Sequence, residues 1–458
     1  MKNLLFRFFL ILCSVFGIFS FSSFLFLRNF ECKGFSFYDG DDIKTDSVLL
    51  INTDTEMPIF EKNSEKRRSM ASLTKIMTYI IIIENAKDIK IEKVKVKKQI
   101  LNLLDSESSV SGLKENDELT VFDLLHCLLI RSGNDAALVL ADYIGKGGID
   151  DFVKMMNIKA EELGCLNTHF TNVDGMFDEN HYSTAKDMYK ITSYAMKLPY
   201  FMEICGKRQY KVFDDDRPVL RTTNKMMEPG EREYYCPYVK GIKTGWHSEA
   251  GRCLISYAVK SNVSYICVAM GGPETDINGD GIKENLAMIE TKKLYTWAFE
   301  NLSLKTISNR NDPMCQIKLK YAWKKDKIIL SPETTIKIIL PKEFKISDLT
   351  TAFFLPDFIN APVEAGDFIG KAELKFGNSL LKEVNLVSGE TVPLNFFSFI
   401  TEKIKDVVFS RIFIISGKCL ILLLICYLIF LFWANKKKMK NKKRLYIQKN
   451  KKRKIINK

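Results

Sequence analysis

Ser72-Leu-Thr-Lys75-Ile-Met-Thr-Tyr79-Ile-Ile-Ile-Ile83 is the stretch from which the fold can be read. Its apolar residues Ile76, Tyr79, Ile80 and Ile83 recur at helical spacing, which puts the Ser72 hydroxyl at a helix N-terminus. Ser72 and Lys75 then share one face a single turn apart, so that a neutral Lys75 amine could take the hydroxyl proton. Alone the S-x-x-K pattern says little, because Ser111-Gly-Leu-Lys114, Ser183-Thr-Ala-Lys186 and Ser379-Leu-Leu-Lys382 match it too.

Upstream, Ser47-Val-Leu-Leu-Ile51 and Pro58-Ile-Phe60 flank polar residues and read as a hairpin. Downstream, Thr120 with Asp123 resembles a capping box, and the helix it starts runs through Leu129 before Arg131-Ser-Gly-Asn134 breaks it. A second helix covers Asp135 to Ile144, and the pattern from 150 to 200 is again helical, with Thr184 and Asp187 as another cap. From Tyr238 the period changes to strands: Val239 to Thr244, Arg252 to Val259 and Val263 to Met270, the last two joined by a Ser261-Asn262 turn. Helix Glu284 to Asn301 closes the unit near residue 302. Helices around an antiparallel sheet make an α+β domain, expected over 35–305.

Alternation in Gln316-Ile-Lys-Leu-Lys-Tyr321, Thr335-Ile-Lys-Ile-Ile-Leu340 and Lys371-Ala-Glu-Leu-Lys-Phe376 indicates a small all-β domain over 313–393. Residues 394–411 mix apolar and charged side chains as a juxtamembrane amphipathic segment. Ile412 to Ala434 is almost continuously apolar apart from Lys418, and its 23 residues exceed the roughly 20 that span a bilayer. The tail, 435–458, holds 13 Lys and Arg and no Asp or Glu, which equals the whole net charge of +13. The body is therefore formally neutral, which argues against nucleic-acid binding. Cations packed beside a span mark its cytoplasmic side and attract anionic lipid headgroups. At the other end, Lys2 and Arg7 precede apolar Phe8 to Leu27, so residues 1–34 read as a signal peptide or an uncleaved anchor. Either choice exports the body and leaves the tail in the cytoplasm.

Of eleven cysteines, Cys32, Cys127, Cys165, Cys205, Cys236, Cys253, Cys267 and Cys315 lie in the body, without C-x-x-C pairs or zinc spacing. Most sit inside apolar patterns and read as small buried hydrophobes. Asp276-Ile-Asn-Gly-Asp-Gly281 copies the first half of a calcium loop, but its twelfth position is Ala287, so a turn is the better reading and no metal or cofactor is expected.

Two further triplets, Ser132-Gly-Asn134 between helices and Lys243-Thr-Gly245 at a strand end, follow Ser72-Leu-Thr-Lys75 in the order found in penicillin-binding proteins and serine β-lactamases. The chain resembles the D-alanyl-D-alanine carboxypeptidases among the low-molecular-mass penicillin-binding proteins. The likeness extends through Leu119-Thr-Val-Phe-Asp-Leu-Leu125, Ile130-Arg-Ser-Gly-Asn-Asp-Ala-Ala137, Leu166-Asn-Thr-His-Phe-Thr-Asn172, His181-Tyr-Ser-Thr-Ala-Lys-Asp-Met188 and, in the β domain, Ala361-Pro-Val-Glu-Ala-Gly-Asp-Phe-Ile-Gly370.

That resemblance implies a β-lactamase/transpeptidase-like domain and a serine peptidase that removes the terminal D-alanine of peptidoglycan stem peptides and is acylated by β-lactams. It implies Ser72 as nucleophile, Lys75 as general base, and Ser132 as proton relay to the leaving amine. Asn134 would hold the substrate amide, and Lys243, Thr244 and Gly245 the terminal carboxylate. Backbone N–H groups of Ser72 and Trp246 would form the oxyanion hole. Trp246-His247 is bulky beside K-T-G, which bears on substrate preference; His126, His169, His181 and His247 are given no catalytic role. A class A β-lactamase would need a deacylating Glu, and Glu162 stands one residue too far from Leu166-Asn167 for the E-x-x-L-N spacing. A D,D-endopeptidase acting on cross-links with the same site, and a non-catalytic penicillin-binding wall scaffold, are the alternatives.

Overall fold

The computed structural model describes residues 37–456 apart from 278 and 378. The leader expected over 1–34, with Cys13 and Cys32, lies outside the described residues. The chain divides into two compact units. The first comprises residues up to Ile307 with Lys337–Thr350 and Leu374–Lys382; the second comprises Ser308–Ile336, Thr351–Glu373 and the chain from Glu383 onward.

In the first unit, strands β1 (Ser47–Asn52), β2 (Met57–Lys62), β3 (Val239–His247), β4 (Gly251–Lys260) and β5 (Val263–Gly272) form an antiparallel sheet in the order β2-β1-β5-β4-β3. Alternate residues of β1 enter different cores: Leu49 and Ile51 face one, Val48 and Leu50 the other. Both faces are covered, so the strand reads as an unbroken apolar run. The Ser261-Asn262 turn joins β4 to β5 with both residues at positive φ, +48° and +63°, the backbone of a tight hairpin.

One face of the sheet carries helices α1 (Lys75–Asn85), α2 (Val121–Leu129), α3 (Asn134–Ile144), α4 (Ile149–Glu162) and α5 (Ala185–Ala195). The other face carries α6 (Leu286–Asn301), through Leu294, Tyr295 and Ala298. Helix α1 is buried almost all round, Ile81 and Ile82 as well as Ile76, Tyr79 and Ile80. A central helix of this kind has no solvent face to keep polar. Both expected caps are present: the Thr120 and Thr184 hydroxyls accept from the N–H groups of Asp123 and Asp187, each at 3.0 Å.

The stretch 150–200, expected to be helical, is helical only in α4 and α5, with the short helix Phe201–Cys205 beyond them. Residues 163–184 run instead as turns and isolated bridges such as His169–Tyr182. Two boundaries also differ from the sequence expectation. Strand β3 continues past Thr244 because Trp246 and His247 still pair with Arg252 and Gly251 of β4. Helix α6 starts at Leu286, since Glu284 and Asn285 pair with Thr275 and Glu274 in a short ladder and the Asn285 side chain caps the helix. Strand β3 also holds one residue more than β4 between Val239 and Ile242, a β-bulge.

In the second unit β6 (Cys315–Lys320) pairs antiparallel with β7 (Lys327–Pro332), which pairs in turn with Leu386–Ser388. The short strand β8 (Phe358–Asn360) runs parallel to β6. Ile317, Leu319, Ile328, Leu330, Ala372 and Leu386 form the core. Helix α7 (Phe396–Val408) follows, capped by Asn395 and exposing Phe397, Ile400, Ile404 and Val407. Helix α8 (Arg411–Ile456) is long and apolar enough to cross a membrane, and the large apolar side chains from Ile412 to Trp433 are exposed.

Cys127, Cys165, Cys205, Cys236, Cys253 and Cys267 are buried free thiols and Cys315 is half-buried. Burial pushes the Cys127 and Cys205 thiols up to about 12, so they pack as small hydrophobes.

Candidate active site

Ser72 lies on a single 3-10 turn, Ala71–Thr74, that leads into α1. The turn needs Ala71 at φ +47°, an uncommon conformation for a residue with a Cβ. Two glycines let neighbouring backbone close on it. A Cβ on Gly175, itself at φ +90°, would collide with the Ala71 carbonyl, and a Cβ on Gly245 would stand 3.0 Å from the Ser72 nitrogen. Gly245 thus brings the outer edge of β3 against the Ser72 N–H.

The turn and α1 place the Lys75 amine 2.8 Å from Ser72 Oγ. Lys75 Nζ also donates to Asn134 Oδ1 at 2.7 Å and to the Asp174 carbonyl at 2.6 Å. Burial lowers the Lys75 pKa to about 8, against the opposing pull of the Asp174 and Asp135 carboxylates. The three partners fit a neutral amine: two N–H bonds for two obligate acceptors, and one lone pair for the serine proton.

Ser132 and Asn134 come from the break between α2 and α3. Ser132 sits at φ +65°, which turns its hydroxyl to within 2.8 Å of Lys243 Nζ. Lys243 is wholly buried; burial first, and the neighbouring Lys75 second, hold its amine well below the ordinary ammonium range. The Thr244 hydroxyl meets Thr223 Oγ1 at 2.5 Å.

These groups surround one cleft of about 550 Å³, lined by Ser72, Ser132, Asn134, Thr244, Gly245 and Trp246, with Lys75 and Lys243 behind its wall. The three triplets, far apart in the chain, therefore meet at one point.

Sequence reasoning missed several residues at this point. The Asp174 carbonyl touches both Ser72 and Lys75, and Gly175 supports the turn. Ser108 and Ser109 hold Asn134, and Thr223 and Tyr234 line the cleft. The available signal was Gly175, three residues beyond Leu166–Asn172; carbonyl contacts leave no trace in residue type. His247 lines the cleft, between Ser69 Oγ at 2.9 Å and the Glu249 carboxylate at 3.1 Å. Buried His181 braces the turn that carries Ser72, bonding Thr74 Oγ1 at 2.7 Å and accepting from the Thr171 N–H at 3.0 Å.

The calcium-like loop forms the turn of the ladder between Glu274-Thr275 and Glu284-Asn285. The Asp276 carboxylate accepts from the N–H groups of Gly279, Asp280 and Gly281. Glu284, at the ninth position of the twelve-residue pattern, brings a third carboxylate near Asp276 and Asp280.

The sequence profile of the D-alanyl-D-alanine carboxypeptidases matches residues 36–274, and that of the C-terminal domain of penicillin-binding protein 5 matches 303–394. The chain is 30% identical over 368 residues to the D-alanyl-D-alanine carboxypeptidase DacF of Bacillus subtilis, covering 79% of this chain and 89% of that one. It is 26% identical over 377 residues to DacA of Escherichia coli, covering 79% and 87%. The crystal structure of penicillin-binding protein 5 from Haemophilus influenzae superposes with a TM-score of 0.65 at 26% identity, over 77% of this chain and 98% of the other. Together with three sequence triplets meeting in one cleft, these matches establish that the chain belongs to the D-alanyl-D-alanine carboxypeptidase family of penicillin-binding proteins.

Proposed function

We propose that the chain is a membrane-anchored serine carboxypeptidase that removes the terminal D-alanine from peptidoglycan pentapeptide stems through an acyl-enzyme on Ser72. The observation that carries this reading is the Lys75 amine, buried, 2.8 Å from the Ser72 hydroxyl and lowered to about 8.

Ser72 Oγ attacks the carbonyl carbon of the penultimate D-alanine while its proton passes to neutral Lys75. The oxyanion is held by the N–H groups of Ser72 and Trp246, a hole that contributes about 3 to 4 kcal/mol per donor. Ser132, held by Lys243, relays that proton from Lys75 to the leaving D-alanine amine as the C–N bond breaks, taking one proton as it gives one up. Asn134 holds the substrate amide; Lys243, Thr244 and Gly245 form the end of the site that receives the terminal carboxylate. Water then hydrolyses the ester. A β-lactam enters the same sequence, its acyl group remaining on Ser72.

Helix α8 anchors the chain across the membrane over 412–434. The catalytic domain (35–305) and β domain (313–393) lie outside, and the basic tail lies against anionic lipid in the cytoplasm. Support for this orientation is the run of 13 cations that follows the apolar span.

The test is D-alanine release from a peptide ending in Lys-D-Ala-D-Ala by the full-length protein in detergent, with Ser72→Ala as control. Release that vanishes in the control is expected. A folded protein that forms a Ser72 penicillin adduct without releasing D-alanine would favour the endopeptidase or the scaffold; absence of the adduct as well would sink the reading.

A further inference from the structure

We propose that Asp135 is a positioning residue for acylation: its carboxylate clamps the Ser108–Leu113 segment, and that segment fixes Asn134 so that Oδ1 faces Lys75. The inference rests on the reading above, in which Lys75 is the base and Ser72 the nucleophile.

Asp135 is 1% exposed and lines no part of the cleft, so it acts only through other groups. A buried carboxylate is tolerated only when its oxygens are supplied with donors. Here the donors come almost entirely from one segment. Oδ2 accepts from the N–H groups of Ser111 at 2.9 Å, Gly112 at 3.0 Å and Leu113 at 3.1 Å. Oδ1 accepts from the Ser111 hydroxyl at 2.9 Å and from the N–H of Ala136, also at 2.9 Å. Three successive backbone N–H groups converging on one side chain hold that segment in a single conformation.

The same segment grips Asn134 from the other direction. The Ser109 carbonyl accepts from the Asn134 backbone N–H at 2.7 Å, and Ser108 Oγ lies 3.2 Å from Asn134 Nδ2. With Nδ2 engaged there, Oδ1 points to Lys75 Nζ at 2.7 Å. Were the amide turned over, a donor would face a donor, and Lys75 would lose one of the two acceptors that leave its lone pair for Ser72.

Gly133, the middle residue of the Ser132-Gly-Asn134 triplet, gives independent support. A Cβ there would stand 2.5 Å from Asp135 Oδ1 and 3.0 Å from Ser111 Oγ. The glycine makes room for the clamp, which joins the triplet to the segment beside it. Ser109 Oγ adds a bond to the Arg131 carbonyl at 3.2 Å, closing the connection on the other side of Ser132.

An Asp135→Asn substitution keeps size and shape but leaves one acceptor oxygen and turns an amide donor toward backbone N–H groups. The experiment is a double-mutant cycle on the full-length protein in detergent, reading the second-order rate of Ser72 acylation by a fluorescent penicillin. The proteins are wild type, Asp135→Asn, Asn134→Ala and the double variant. Asp135→Asn is expected to slow acylation on the order of 10²-fold, the cost of a small misplacement of catalytic groups, with its thermal transition retained. In the Asn134→Ala background the same change is expected to cost less than about threefold, because the residue it acts through is gone. Equal losses in both backgrounds, or acylation by Asp135→Asn at the wild-type rate, would overturn the proposal.

If Asp135→Asn does not fold, Ser108→Ala takes its place in the same cycle. It should slow acylation beside Asn134 and not beside Ala at that position; slowing in both, or in neither, overturns the proposal. A wild-type protein that is not acylated counts instead against Ser72 and Lys75 as the reacting pair.

Discussion

Lys243 Nζ lies 2.8 Å from Ser132 Oγ, with both side chains buried and Ser132 held at φ +65° to make the contact. Lys243 Nζ also donates to the Thr244 carbonyl, again at 2.8 Å. Ser132→Ala is therefore expected to lower D-alanine release by about 10² to 10⁴-fold, the range for a lost proton-transfer group. Steady-state release by Ser132→Ala beside wild type checks this; a loss below about threefold would remove Ser132 from the relay.

Acylation should follow the protonation of Lys75. Only the neutral amine accepts the serine proton, and its pKa is lowered to about 8. The rate of penicillin acylation is expected to rise with pH and level off above about 8. Burial sets this midpoint below the ordinary ammonium value, and the Asp174 and Asp135 carboxylates pull it back up. Stopped-flow acylation between pH 6 and pH 10 measures it, and a flat profile would point to another base.

His181 ties acid stability to the nucleophile turn. Burial lowers its pKa to about 3, and it accepts from the Thr171 N–H while bonding Thr74. Between about 3 and the unfolded value near 6.5, the unfolded chain binds the proton that the folded one refuses, so stability rises with pH through this window. Acidification should therefore destabilise the catalytic unit below about pH 6.5, and His181→Gln should flatten that slope in thermal melts.

Gly175→Ala should damage both stability and rate. The position needs φ +90°, and a methyl group there meets the Ala71 carbonyl. A loss of about 2 kcal/mol or more in unfolding free energy is expected. Penicillin acylation should fall with it, since Ala71 precedes Ser72, the proposed nucleophile. Wild-type values for both would mean the turn does not depend on this contact.

Orientation in the membrane is testable with a C-terminal epitope tag. Protease added to intact protoplasts is expected to digest the catalytic unit and spare a tagged fragment containing helix α8. Loss of the tag from outside would reverse the assigned topology.

Much of this was legible in residue types. The Thr120 and Thr184 caps, the β4–β5 turn and the strand-rich character of the second unit rest on local rules of spacing and turn chemistry, and local rules act through neighbours in sequence. The three triplets were legible because each carries side chains of a chemical kind. The Asp174 carbonyl was not, because any residue offers a carbonyl and only the fold aims it. Asp135 read as an ordinary first-turn helix residue, since the donors that bury its charge come from a segment more than twenty positions away. The start of α6 was misread because Glu284 and Asn285 suit a helix locally and are claimed by a ladder.

The bulge between Val239 and Ile242 has a further consequence. It sets the phase of everything after it in β3, deciding which parity of residue points toward Ser72 and which toward Thr223. Removing one residue upstream of Lys243 while keeping the bulge and the upstream pairing in step would slip the rest of the strand by one and exchange its two faces, driving an indole into the space that Gly245 occupies. The spacing before the triplet therefore matters as much as its letters, and a length change there is more damaging than most substitutions. Variation among relatives in this strand should accordingly appear as replacement of side chains at constant length, a pattern that a comparison of their β3 segments can read directly.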